Sequence, residues 1–218
     1  IPVINSNQAG GGNLPNGWTM TKFGPLGPAD RDILVKVRLA GLWEAPAGAM
    51  AQTRATNPRV KEVGNHLATE HTRLDEQVRS VAVQLGVDLP NQPNADQQGW
   101  LKELSSRDGD AFDRVFTARL RAAHGKVFSV LSAVRAGTRN DLVRSFTQVG
   151  IDIVMRHMTL LESTGLVAFS ELPAPPDPPT QIAALTGRSS AELLVVLVIV
   201  AAAAVVVIRA VWGAVRHR

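Results

Sequence analysis

Cysteine is missing from this 218-residue chain, and neither basic nor acidic charge dominates it. Without cysteine there are no disulfides, no thiolate metal sites and no thiol nucleophile, whichever side of a bacterial membrane the chain occupies. The 23 Lys and Arg residues against 19 Asp and Glu leave a net charge of only +4, and no basic run is interleaved with aromatics. That excludes a nucleic-acid surface. Catalytic signatures are equally scarce: no G-x-S-x-G, Walker, H-E-x-x-H or strand-borne dinucleotide-binding glycine pattern occurs. The length accommodates one ordinary domain and an accessory segment. Two readings of the Ile1 start are open, a signal peptide removed upstream or a trimmed beginning.

What is present is first a long apolar run. Leu193 to Ile208 reads LLVVLVIVAAAAVVVI with no charge, and it continues beyond Arg209 to Val215. About twenty such residues span the ~30 Å hydrocarbon layer. Arg209 can snorkel to the headgroups, Trp212 suits the interface, and the basic tail Arg216, His217 and Arg218 favours a cytoplasmic C-terminus. A transmembrane helix over 190–215 is therefore expected, with a cytoplasmic tail at 216–218 and everything before it extracytoplasmic. Ahead of it, 169–189 is a linker whose PAPPDPP at 173–179 favours polyproline II and acts as a semi-rigid spacer.

Residues 1–28 are rich in Gly, Asn and Pro and show neither helical nor strand period. They read as an irregular arm. Trp18, Met20 and Phe23 are more apolar than a free tail needs, so the arm is expected to lie along the domain or along a partner, with Trp18 and Phe23 as the contact residues.

Between arm and linker, 29–168 carries four long segments with apolar residues at three- and four-residue spacing, the signature of packed helices. The first runs from about Asp30 to Ala55, with Pro46 expected to kink it; the second runs from Pro58 to Leu85. The third spans about Asp110 to Gly137 and the fourth about Asn140 to Thr164, with Leu142, Phe146, Val149, Ile153, His157 and Leu160 or Leu161 on the fourth helix's stripe. Residues 95–106 read as a short helix in the long middle connection. The expected fold is an all-α four-helix bundle, with the ferritin-like crossover favoured over up-down-up-down, plus the C-terminal transmembrane helix.

Each long helix places one strongly polar residue on its apolar stripe: Glu44, His71, His124 and His157. Buried ionisable groups cost several kcal/mol unless paired, hydrogen-bonded or bound to metal. Counted from the turn at Asn57, Glu44 and His71 lie at one height. His157 is displaced by ~7 Å on the same kind of count, at ~1.5 Å per residue. One carboxylate with two or three imidazoles is a ligand set for a divalent transition metal such as Zn, Cu, Fe or Mn, and Glu70 is placed to serve as ligand or outer partner. The alternative is a Glu–His network that fixes helix register. The paired Glu-x-x-His motifs of di-iron bundles are missing, since Arg121 and Val154 stand three residues before His124 and His157. His66 lies off the stripe and reads as a surface histidine. Asp108, Asp110 and Asp113 lack EF-hand spacing, and capping of the third long helix accounts for Asp108 or Asp110.

The stretch from about Asp30 to Leu166 resembles the bacterial domain-of-unknown-function family numbered 4142. The resemblance rests on Glu44, NPRVKEVGNHLATEHTRLDEQV at 57–78 with Glu70 in place of the usual Asp, and LGVDLP at 85–90. FDRVF at 112–116, with Phe116 for the common Tyr, His124 and His157 complete it. The resemblance implies an exported, ferritin-like bundle and no established reaction.

Two functions follow as expectations. The first is a non-enzymatic interaction domain tethered to the membrane, an accessory subunit of a larger membrane assembly of which a respiratory complex is an example. The second is an extracytoplasmic metal-binding or stress-related redox protein using the Glu/His set.

Overall fold

The structure is a computed structural model that describes residues 14–174. The expected transmembrane helix at 190–215, with its Leu193, Ile208, Arg209 and Trp212, the tail at 216–218 and most of the linker lie outside the described residues. Among the described residues, no helix is long and apolar enough to cross a membrane.

The described residues are all-α apart from one small hairpin. Helix α1 (Pro28–Arg54), α2 (Pro58–Leu85), α4 (Gly109–Gly137) and α5 (Asp141–Glu162) are long, and α3 (Ala95–Ser105) is a short helix in the middle connection. Local chemistry sets most ends. The Asp30 carboxylate accepts the Gly27 backbone N–H at 2.7 Å, and the Asn57, Asn94 and Asn140 side chains accept from Arg59, Gln97 and Val143 at the starts of α2, α3 and α5. Gly86 closes α2 with φ of 64°, a left-handed conformation that glycine adopts without strain. Helix α1 continues through Pro46.

Two helical hairpins, α1–α2 and α4–α5, pack together, with α1 against α4 and α2 against α5. Asp113 near the start of α4 accepts from the backbone of Thr56 and Asn57 at 3.3 and 2.9 Å, at the start of α2. Helices α2 and α4 therefore begin at the same end, and the segment through α3 returns along the bundle to join them. Asp108 holds the N-cap position of α4 without a side-chain capping bond; its carboxylate pairs with Arg54 at 2.9 Å. The capping expectation thus fails for Asp108, and Asp113 instead ties down the α1–α2 turn.

The arm differs from the irregular segment expected over 1–28. Thr19–Thr21 (β1) and Gly24–Leu26 (β2) form an antiparallel pair with Thr19 opposite Leu26. This hairpin is fastened to the bundle: Leu26 is fully buried, the Phe23 carbonyl accepts from Asp141 N–H at 2.8 Å, and Asn140 donates to Thr21 Oγ1 at 3.0 Å. Trp18 packs on Gly27, and the Arg139 guanidinium lies 5.8 Å from its ring centroid. Strands of three residues leave too few positions for alternation to register.

The α5 stripe also differs. Val149 is 39% exposed, and the inward positions are Val143, Phe146, Thr147, Gly150, Val154, His157, Met158 and Leu161. The cause is Gly150: a Cβ there would lie 3.0 Å from Leu131 Cδ2, so the helix approaches α4 along a glycine that carries no hydropathic signal.

The α1–α2 contact is closer still. A Cβ on Gly48 would sit 2.5 Å from the Gly64 carbonyl oxygen and 2.8 Å from Ala68 N, whereas one on Gly41 would meet nothing nearer than 3.5 Å. Helix propensity favours alanine by up to ~1 kcal/mol at both positions. Gly48→Ala is nevertheless expected to destabilise by about 1–3 kcal/mol because backbone must move, while Gly41→Ala is neutral or stabilising. Urea unfolding midpoints of the two variants check this; equal midpoints would contradict the close helix approach.

Candidate metal centre

The four stripe residues meet inside the bundle. Glu44 on α1, His71 on α2, His124 on α4 and His157 on α5 are each at most 2% exposed. The ring centroids of His71 and His124 are 5.7 Å apart, those of His71 and His157 5.0 Å, and those of His124 and His157 5.2 Å. One ring nitrogen from each histidine lies within 4.8 Å of the others. The displacement of His157 expected from counting is reduced by the register of α4 and α5. Arg135 reaches Gln148 and Arg121 reaches Glu162, which places position 159 opposite His124. His157 is two residues from level, ~3 Å along the axis, a distance that a side chain bridges.

Tautomers follow from what each partner can do. The Leu120 carbonyl, 2.8 Å from His124 Nδ1, only accepts, so Nδ1 carries the proton and Nε2 presents a lone pair. Glu70 is held by Arg156 at 2.7 Å, and its other oxygen lies 3.1 Å from His157 Nε2. That nitrogen donates, leaving a lone pair on His157 Nδ1. His124 Nε2 and His157 Nδ1 then face each other at 3.1 Å, with Glu44 Oε2 only 3.3 Å from His124 Nε2. Electron-rich atoms at this spacing repel unless a cation lies among them.

Glu44 Oε2 is also 2.7 Å from His71 Nε2, an ion-pair distance at which the ring N–H is poorly aimed, and neither that oxygen nor either His71 nitrogen has a well-aligned hydrogen-bond partner. Ligands at the ~2.05 Å typical of Zn–N bonds stand about 3.3 Å apart in a tetrahedron. The 3.1 and 3.3 Å separations match that spacing, while the 2.7 Å between Glu44 and His71 is tighter and must widen to fit it. Outer partners match as well: a ligating histidine ordinarily donates its second N–H to a carbonyl or carboxylate, as His124 does to Leu120 and His157 to Glu70.

A proton is a poor substitute for a metal ion here. Burial holds the His124 pKa below the ordinary value, with Glu44 opposing and His71 adding to the effect. His157 is pushed down to about 2, chiefly by burial and then by the charges of His71, His124 and Arg156. Burial alone would raise Glu44, but the positive charge that His124 and His71 gain when acid protonates them outweighs it and holds the carboxylate below its usual range.

The family model described as "Domain of unknown function (DUF4142)" matches residues 20–163, about two thirds of the chain. The protein belongs to this family. In this DUF4142 chain all four converging residues, and Glu70 with them, fall inside the matched segment. No curated protein and no solved structure matches it.

Glu70 is not among the converging atoms; in this DUF4142 domain it is the outer partner of His157. His66, 3.6 Å from Glu70, is drawn into the same edge. Arg156, which fixes Glu70, went unrecognised in the sequence although it stands next to His157, because one arginine among many carries no pattern. Trp18 and Phe23 lie at the far end of α4 and α5 and take no part in the centre; both are half-buried against their own bundle.

Proposed function

We propose that this protein is a metal-binding helical bundle in which Glu44, His71, His124 and His157 hold one divalent first-row transition metal ion. The lone pairs of His124 Nε2 and His157 Nδ1 facing each other at 3.1 Å beside a buried carboxylate carry the reading. Imidazole and carboxylate suit Zn, Mn, Fe and Cu alike. A bound ion would neutralise Glu44 and give the orphaned His71 nitrogen a partner. The two helical hairpins and the returning crossover support a ferritin-like arrangement, with a mononuclear ligand set in place of a di-iron one. The test is metal analysis of purified protein after reconstitution with each ion. One equivalent per chain is expected, and no stoichiometric metal with any of them would sink the proposal.

The accessory-subunit reading draws less support, because the two arm aromatics that suggested a partner surface are engaged by the chain's own helices. A single-pass anchor with the bundle outside is retained as part of the proposal on the sequence of 190–215 alone. Removing 190–218 is expected to move the protein from the membrane to the soluble fraction, read by alkaline extraction and sedimentation. A full-length chain already found in the soluble fraction would remove the anchor from the proposal.

A further inference from the structure

We infer that the cavity between α1, α3 and α4 is the route by which a small anion reaches the ion held at Glu44, His71, His124 and His157, and binds it as an exchangeable ligand; this rests on the metal reading above. The cavity holds about 270 Å³ and Glu44 is part of its wall. Glu44, which turns a buried oxygen to the centre, therefore also lines the cavity. At the edge between α2 and α5, by contrast, Glu70 is taken up by His157 and by Arg156.

Charge identifies the ligand class. Three neutral imidazoles and one carboxylate leave a divalent ion with a net charge of +1, which one monoanion balances. Lys36 and Lys126 line the same cavity. Lys36 is paired with Asp32 at 2.5 Å, while Lys126 is exposed and in no ion pair among the described residues, so its charge is available to an incoming anion. Trp43 and Trp100 form an edge-to-face wall with centroids 5.0 Å apart. The volume lies just below the ~300–1,000 Å³ of pockets for drug-sized ligands. Anions of two or three atoms fit within it.

The probe is azide, titrated into full-length protein loaded with cobalt(II), whose visible spectrum reports on its ligands. Azide is expected to shift the spectrum and to saturate. Reversing the charge at the mouth, Lys126→Glu, is expected to weaken azide binding by about threefold or more. Filling the cavity, Ala40→Leu, is expected to weaken it by about tenfold or more while the azide-free spectrum stays that of the wild type. Lys126 is exposed, so its variant reports even if the cavity-filling chain fails to fold. A cobalt(II) spectrum indifferent to azide, or any folded variant binding azide as tightly as the wild type, overturns the route and leaves metal binding standing. Failure to take up cobalt(II) at all overturns both.

Discussion

Exchanging His71 or His124 for alanine is expected to abolish stoichiometric metal uptake, with a loss in affinity of about a hundredfold or more. Changes to outer partners alone cost about 10–100-fold, and a direct ligand costs more. Both side chains are buried among packed helices, so no neighbouring residue has access to replace the missing nitrogen. Glu70→Ala belongs to the same series at the smaller value, since it removes the acceptor of the His157 N–H and the partner of Arg156 but no atom of the ligand set. Asp75→Asn is the comparison: it lies on the same helix and weakens a half-buried ion pair, with Arg38, but it has no contact with the centre. Competition with a chelator of known affinity measures all four. Ligand variants that load metal as the wild type does would leave the Glu–His network as a purely structural device.

Acidifying the metal-free protein below about pH 6.5 is expected to destabilise it, and saturating metal should move the loss to lower pH. His124 and His157 have folded-state pKa values below the 6.5 of an unperturbed histidine. Below pH 6.5 the unfolded chain therefore binds more protons than the folded one, and stability falls with pH. For His157 the contribution is fully present above 6.5 and declines until about pH 2. At pH 5 its loss is about 2 kcal/mol, at about 1.4 kcal/mol per pH unit, and His124 acts in the same direction. Glu44 adds to it below pH 4.5, because its folded pKa is also depressed. Against a total stability of about 5–15 kcal/mol this is a large fraction. Bound metal excludes protons from the same nitrogens, so metal release and unfolding should become linked. Urea midpoints of apo and loaded protein between pH 7.5 and 5 check the sign. A midpoint independent of pH would mean that the histidines are not held neutral.

The helices were legible because their apolar stripes repeat over 22 to 29 residues, and Asn57, Asn94 and Asn140 mark three starts by an interaction within a few residues. The same stripes exposed Glu44, His71, His124 and His157, since a charged or titratable group amid apolar neighbours breaks a pattern that is otherwise complete. The inward face of α5 was legible only in part: Phe146 and His157 lie on it, but Gly150 packs against Leu131 with no hydropathy to announce it, and the face is offset from Val149 and Ile153. The hairpin at 19–26 escaped for a related reason, being held by contacts to Asn140 and Asp141 more than a hundred residues away.

By itself, then, the sequence determined that this is a helical domain with one polar residue aimed inward from each long helix, because helix formation and amphipathicity are read from neighbours within a turn or two. Only the tertiary structure decided that the four residues meet at one level, that Leu120 and Glu70 fix which nitrogens carry protons, and that Glu44 borders a cavity. Those facts depend on the offset between α4 and α5 and on the return of the chain through α3. Both are set by packing between segments far apart in the chain, where no local pattern records the distance.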